Sequence, residues 1–362
     1  MLEKPVVINE KNSRGSLESA CSAARLSGHK IYVIVDESDS FVNDQIQDTP
    51  LDSPDVDTEE KLKRYSQTVS GKEGLLRLFG ATLKKNTGAA IGRIFMTGIA
   101  PIALAEGSES MNMMLNLTHD PTFSEIFGFR EESVRGALER IAQDRGLPAA
   151  EVVEQHLAVI RRNYDGYRFH PAQAEGLYNP QQSYYYLRHL AAHGTAPDNL
   201  LDENMENTTR AVGFLLSLYR LDMSKTAEQR VGHVLKYSAS DFFGDVPVEL
   251  LRAFKSAAIL DNHSEAAVAT LLYHYGFLTH ADPQAESTIE WTKHRTDPRL
   301  KLLTSSNEIH RDLLLRSAWE SNKNLFLSAR DMYRQIPVKE KRLIHAAGLA
   351  IMEKLMESYF PN

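Results

Sequence analysis

The chain of 362 residues has one cysteine, Cys21, so no internal disulfide can staple it. That fits a reducing compartment. Long hydrophobic runs are missing too: nothing approaches the roughly 20 apolar residues of a membrane helix. Met1 to Glu10 holds two acids, a lysine and no apolar stretch fit for a signal peptide. The expectation is an intracellular protein, cytoplasmic or nuclear, that does not engage membranes. Basic charge is in short supply, with 41 Lys and Arg against 48 Asp and Glu, a net charge of -7. This argues against a broad nucleic-acid-coating surface and leaves only a local basic groove open. Several chemical signatures are absent as well. No Gly-x-Ser-x-Gly elbow supports a hydrolase triad. His189 and His193 are four apart, but Leu190 stands where a zinc-protease helix needs Glu. There is no internal repeat.

What is present is an ordinary globular composition, 42% hydrophobic and 25% charged, enough for one large or two modest domains. Pro5 to Ile8 reads as a short buried strand. Leu17, Ala20, Cys21, Ala24 and Leu26 form a helical stripe that Ser27-Gly28-His29 ends. Ile31 to Val35 is an unbroken, mostly β-branched run, the pattern of a parallel strand covered on both faces. Residues 36–60 hold ten acids and no Lys or Arg, and 46–60 reads as a solvated loop. A helix face at Leu75–Leu83 precedes a second strand, Ile91 to Met96. Beyond residue 120 the spacing turns helical, first at Val134–Ile141 and Val153–Tyr164. Further helices are expected near 181–193, 207–219, 246–260, 264–275, 307–320, 324–335 and 339–358. Thr288–Trp291 and Leu300–Leu303 could pair as a hairpin. The fold class expected is α/β: a partial parallel sheet over residues 1–120, then a mostly helical region over 121–362.

Chemistry concentrates where the two strands end. Ile31 to Val35 runs into Asp36-Glu37-Ser38-Asp39, and in open α/β sheets ligands sit beyond the carboxyl ends of strands. One carboxylate there can order a magnesium shell and its neighbour can orient or deprotonate water. Asp36 is the candidate metal-side acid and Glu37 the candidate water-activating one. The plain alternative is two acids that end a strand and open a loop. The second strand ends in Thr97-Gly98, where an NTPase places a γ-phosphate or water sensor. If both acids and Thr97 face one site, the strands must be adjacent and parallel.

Taken in order, the motifs resemble those of the AAA-ATPase-like family, P-loop NTPase relatives often fused to a restriction-endonuclease-like nuclease domain. The elements are Val35-Asp36-Glu37-Ser38-Asp39, with Ser38 where the family has Tyr, then Arg93 to Pro101. They continue with Asn116-Leu117-Thr118-His119-Asp120, Phe127-Gly128-Phe129-Arg130-Glu131-Glu132 and Tyr164-Asp165-Gly166-Tyr167-Arg168-Phe169. Tyr178-Asn179-Pro180 and Tyr275-Gly276-Phe277-Leu278-Thr279 close the series. The resemblance implies a P-loop-type α/β core with a helical lid, ATP and Mg²⁺ as cofactors, Asp36 and Glu37 as a Walker-B-like pair, and Thr97 as sensor. Arg168, with Arg161 and Arg162, could reach a phosphate from the lid or pair with nearby acids.

The departures are as informative. The family's phosphate loop precedes its Pro-Val-Ile strand, which here is residues 5–8, and no Gly-x-x-x-x-Gly-Lys-Ser/Thr occurs in the chain. Ser70-Gly71-Lys72-Glu73 lacks both the first Gly and the Ser/Thr. Without the loop there is no amide cradle and no lysine for the β- and γ-phosphates. The expectation is a truncated or degenerate relative, weak or inactive in ATP hydrolysis. A non-catalytic scaffold for a protein partner, or a nuclease-associated DNA-processing subunit, is the alternative. The nuclease triplet finds only Glu59-Glu60-Lys61, in an acidic stretch without strand character. Tyr184-Tyr185-Tyr186 could stack bases but more often packs a core. Tyr164-Asp165-Gly166-Tyr167 reads as a turn in which Asp165 bonds the local backbone and Gly166 takes positive φ.

Overall fold

The structure, a computed structural model, describes residues 5–40, 74–99, 111–202, 246–249, 265–282, 300–311 and 313. The helices expected at 207–219, 324–335 and 339–358, the hairpin strand at 288–291, and Glu59-Glu60-Lys61 lie outside them. The architecture is mixed helix and strand with a small parallel sheet. The chain divides into two compact units. The first is Met1–Ile126 with Val248–Tyr275 and Arg299–Lys301; the second is Phe127–Pro247 with Gly276–Pro298 and Leu302–Asn362. No helix among the described residues is long and apolar enough to cross a membrane.

In the first unit, α1 (Ser13–Leu26) starts at Asn12, whose side-chain oxygen accepts from the Gly15 N–H at 2.8 Å. Such a cap satisfies one of the orphan donors of a first turn. Gly28, at φ +71°, then turns the chain into β1 (Ile31–Val35). α2 (Leu75–Asn86) leads to β2 (Ile91–Met96). The two strands pair in parallel, Tyr32 opposite Arg93 through Val35 opposite Met96, with one irregularity after Ile31. Cys21, Leu83, Ala90 and Ile91 form the buried core, with Leu17, Ile31, Val33, Phe79 and Ile94 against it. Burial also pushes the Cys21 thiol up. α6 (Glu265–His274) belongs to this unit as well.

Three expectations need correcting here. The first strand is covered on one face only: Tyr32, Ile34 and, on β2, Phe95 are exposed at 70%, 76% and 55%. Residues 5–8 form no strand and Val7 and Ile8 are exposed; the Val7 N–H goes to the Ser19 hydroxyl at 2.8 Å instead of a ladder. Finally, the start of the helix expected at 246–260 is a strand, β3 (Val246–Glu249), whose Pro247 and alternating valines suit an extended chain better than a helix interior.

In the second unit, α3 (Glu131–Asp144), α4 (Ala149–Tyr164) and α5 (Pro180–His193) pack around Val134, Leu138, Val153, Leu157, Ile160, Tyr164, Tyr178 and Tyr186. All but Tyr178 and Tyr186 belong to the i, i+3, i+4 stripes of the sequence. Buried tyrosines need partners for their hydroxyls: Tyr164 donates to the Leu200 carbonyl at 2.7 Å, and Tyr186 meets His156 Nδ1 at 2.9 Å. Asn179 caps α5 with its side-chain oxygen 3.0 Å from the Gln182 nitrogen, and Gly194, at φ +78°, ends it. β4 (Leu278–His280) pairs antiparallel with the end of β5 (Leu300–Ser305), with Leu278 opposite Ser305. Of the 300–303 segment, Leu303 thus lies opposite His280 of β4.

Candidate functional site

Asp36, Glu37 and Thr97 come together in the first unit because β1 and β2 run in parallel and end level. The Thr97 N–H donates to the Val35 carbonyl and the Ser38 N–H to the Thr97 carbonyl, both at 2.8 Å, so the ladder carries on past the last strand residues. Beyond that point the side chains take over. The Thr97 hydroxyl donates to Asp36 Oδ1, and the same oxygen accepts the Glu37 N–H at 3.0 Å. Glu37 sits at φ +50°, the one described non-glycine residue with positive φ. Its carbonyl accepts from the Ser40 N–H at 2.9 Å, closing the turn. Asp36 and Glu37 are both exposed.

One member of this cluster was not singled out by sequence reasoning. Asp39 is 1% exposed, and its Oδ1 accepts the Ile99 N–H at 3.0 Å. A Cβ placed on Gly98 would lie 2.5 Å from that oxygen and 2.8 Å from the Ser38 hydroxyl, so any larger residue would have to push these side chains aside. Tyr275, in the same unit, has its hydroxyl pushed up to about 12, first by burial and second by the charge of Asp39. The sequence signal was Asp39's place as last acid of the Asp-Glu-Ser-Asp run; nothing there distinguished a buried acid from a solvated one.

Arg168 belongs to the second unit. Its guanidinium faces Asp282 at 3.3 Å and the Ala174 carbonyl at 3.5 Å, and its N–H donates to the Thr279 hydroxyl at 2.6 Å. Arg162 pairs with Glu308. Arg161 reaches Glu131 Oε2 with Nε at 2.9 Å and Nη2 at 2.6 Å, and Tyr178 donates to the same oxygen at 3.0 Å. Arg161 foremost therefore holds the Glu131 carboxyl below the usual carboxylate range.

The motifs of the second unit fold onto one another. Phe129 and Tyr178 exchange backbone hydrogen bonds of 2.9 and 3.0 Å; Tyr167 and Leu177 do so at 2.9 and 3.1 Å. Gly166, at φ +108°, passes so close to Ser306 that a Cβ would overlap its carbonyl oxygen. The Tyr167 hydroxyl meets His310 Nδ1 at 2.9 Å, and the Ser306 hydroxyl is 3.0 Å from that nitrogen. Spacing alone reveals none of these pairings, which join residues far apart in sequence.

Other candidates resolve into packing. The His189 and His193 rings meet at a tilt, 4.5 Å between centres, and His189 Nδ1 lies 3.0 Å from the Thr195 carbonyl. Among the described residues no group of three His, Cys, Asp or Glu is placed to hold a metal ion. The tyrosine triplet points three ways: Tyr184 is exposed under Arg188, Tyr185 donates to the Asn199 carbonyl at 2.8 Å, and Tyr186 is buried.

Residues 2–106 match the family described as Predicted AAA-ATPase. This N-terminal part is AAA-ATPase-like. The match spans under a third of the chain and includes the Asp36–Asp39 run and Thr97-Gly98. The later motifs, from Asn116 onward, lie outside the AAA-ATPase-like match. No curated protein and no solved structure matches the chain.

Proposed function

We propose that the chain is an AAA-ATPase-like module whose first unit carries the acid and sensor half of a nucleotide site, and which is weak or inactive in ATP hydrolysis by itself. The observation that carries this reading is the hydrogen bond from the Thr97 hydroxyl to Asp36 at the ends of two adjacent parallel strands. An acid and a small polar residue in that position are what a phosphate-linked reaction uses. The donor set suits magnesium, which takes hard oxygen ligands from one or two carboxylates and fills its shell with phosphate oxygens and water. In this proposal Asp36 holds the metal side, Glu37 faces the attacking water and Thr97 orients the group between them. Bound Mg·ATP would supply the electrophilic phosphorus and charge neutralisation. The P-loop-type core and the lid role of the second unit are part of the same proposal.

Hydrolysis is expected to be weak because none of the 362 residues forms a Gly-x-x-x-x-Gly-Lys-Ser/Thr sequence to wrap the phosphates. Arg168, the expected phosphate contact, belongs to the second unit, where Asp282 faces its guanidinium at 3.3 Å. Titration calorimetry with ATP and Mg²⁺ tests the reading. The expected affinity is weaker than about 10 μM, or roughly 7 kcal/mol, and lower still in Asp36→Asn. Binding tighter than that would mean another element cradles the phosphates, and binding unchanged by Asp36→Asn would remove the proposed metal ligand.

A second reading, a scaffold for a protein partner, is favoured by the exposed apolar face of Tyr32, Ile34 and Phe95. Exposed apolar residues grouped in this way are a feature of interaction surfaces. Loss of partner capture on Ile34→Lys, with ATP affinity unchanged, would favour it.

A further inference from the structure

Besides the bond from the Thr97 hydroxyl to Asp36, three hydrogen bonds of two kinds tie the turn after β2 to the end of β1 among the described residues. Two are backbone to backbone, Thr97 to Val35 and Ser38 to Thr97, and almost any residues could make them. The third runs from the Ile99 N–H to the Asp39 carboxylate, and it depends on a side chain. Burying a carboxylate is costly unless hydrogen bonds satisfy it, yet Asp39 is 1% exposed while Asp36 and Glu37 beside it are open to solvent. Its Oδ1 lies directly over Gly98, where a Cβ would come within 2.5 Å. The carboxylate therefore fixes both the direction of the Ile99 amide and the closeness of Gly98. Those two constraints set the backbone of Thr97, and so the direction of the hydroxyl that meets Asp36.

From this geometry we infer that Asp39 is the positioning residue of the candidate nucleotide site: it locks the Thr97-Gly98-Ile99 turn so that the Thr97 hydroxyl faces Asp36, and touches no substrate itself. The inference rests on the nucleotide-site reading for its functional meaning. The lock stands on the geometry of the turn.

The test uses the full chain labelled with ¹⁵N at Thr, Gly and Ile. In Asp39→Ala the Ile99 amide should exchange with solvent roughly tenfold faster, the factor for one lost hydrogen bond. The Thr97 and Gly98 resonances should move with it, and those of α1 and α2 should stay in place. Asp39→Asn, which keeps an acceptor oxygen, should restore most of the Ile99 protection; a residue with a merely bulk-filling role would show no such rescue. Gly98→Ala pushes on the same carboxylate from below and should disturb the same three residues, giving a second route if Asp39→Ala folds poorly. An Ile99 amide unaffected by both variants would overturn the inference. Changes spread through the whole unit without rescue by Asn would overturn it too.

A nucleotide arm runs alongside. With ATP and Mg²⁺, Asp39→Ala and Thr97→Val should weaken binding by similar factors, and the double variant should be no weaker than either, because both act through one hydroxyl. Full additivity would show that Asp39 does not act through Thr97. No nucleotide binding by the unmodified chain would sink the nucleotide reading, while the amide measurements would still decide whether Asp39 locks the turn.

Discussion

Glu37 holds a backbone conformation that its residue type does not favour. At φ +50° it lies in the left-handed region, which costs most non-glycine residues about 1 kcal/mol. The surroundings hold it there: Asp36 Oδ1 accepts its N–H, and its carbonyl takes the Ser40 N–H. Strain of this kind gathers where a side chain must face a particular way. Asparagine tolerates the same region, so Glu37→Asn should raise stability by roughly 0.5–1 kcal/mol. The same change shortens the side chain and removes its charge, so any ATP turnover should fall. Thermal melts and phosphate-release assays on the one variant check both. A lower melting temperature would mean that the Glu37 side chain makes a stabilising contact; a higher one with turnover unchanged would remove Glu37 from the chemical step.

At the scale of elements, the strands and helices with one clear stripe were legible. Ile31–Val35, Ile91–Met96 and the 181–193 helix appear within a residue of their expected bounds, and the Val134–Ile141 and Val153–Tyr164 stripes lie inside the longer helices α3 and α4. So did the juxtaposition of Asp36, Glu37 and Thr97, because a parallel pairing that ends level leaves no other place for them. Other features were hidden for identifiable reasons. A short apolar run such as Pro5–Ile8 cannot announce whether a partner strand exists, and here it is exposed. Five apolar residues in a row cannot tell a strand covered on two faces from one covered on one, as Tyr32 and Ile34 demonstrate. The burial of Asp39 and the pairing of Glu131 with Arg161 depend on residues 60 and 30 positions away. The turn at Tyr164–Tyr167 was legible as a turn, but its partner was not. Gly166→Ala tests that partnership, since the added methyl would meet the Ser306 carbonyl oxygen. Gly146 also has positive φ, +65°, yet nothing stands within 4 Å of its Cβ position. Gly146→Ala should therefore cost about 1 kcal/mol, for backbone conformation alone, and Gly166→Ala at least about 2 kcal/mol more. Urea unfolding of the two variants gives the comparison; equal losses would mean that the chain relaxes away from Ser306.

At the scale of the whole molecule, each unit carries a histidine that the fold keeps neutral, half-buried His274 in the first and buried His310 in the second. His274, in the first unit, is pushed down to about 3, chiefly by burial and then by His119. His310, in the second, is pushed down to about 4 by burial, where Tyr167, Ser306, Asn307 and Phe277 surround it. The ordinary histidine value is 6.5, so the unfolded chain takes up protons at a higher pH than the folded one. The sign follows: stability from these groups is fully present above pH 6.5. It falls as the pH drops through the window from 6.5 to about 4 for His310 and to about 3 for His274. His156, in the second unit, is pushed down by burial as well, so up to three protons are released on folding, a slope of up to about 4.1 kcal/mol per pH unit in that window. Glu131, held low by Arg161, acts in the same direction at a lower pH, as its partnership is lost on protonation. It is a third exposed, so solvent screening makes its share small. Urea unfolding at pH 7.5, 6 and 5 should give the highest midpoint at the first, a lower one at the second and a much lower one at the third. His310→Gln removes one of the three protons, so its curve should start lower at pH 7.5 and fall about two thirds as steeply. Midpoints that hold steady down to pH 5 would mean that none of these histidines is kept neutral by its burial.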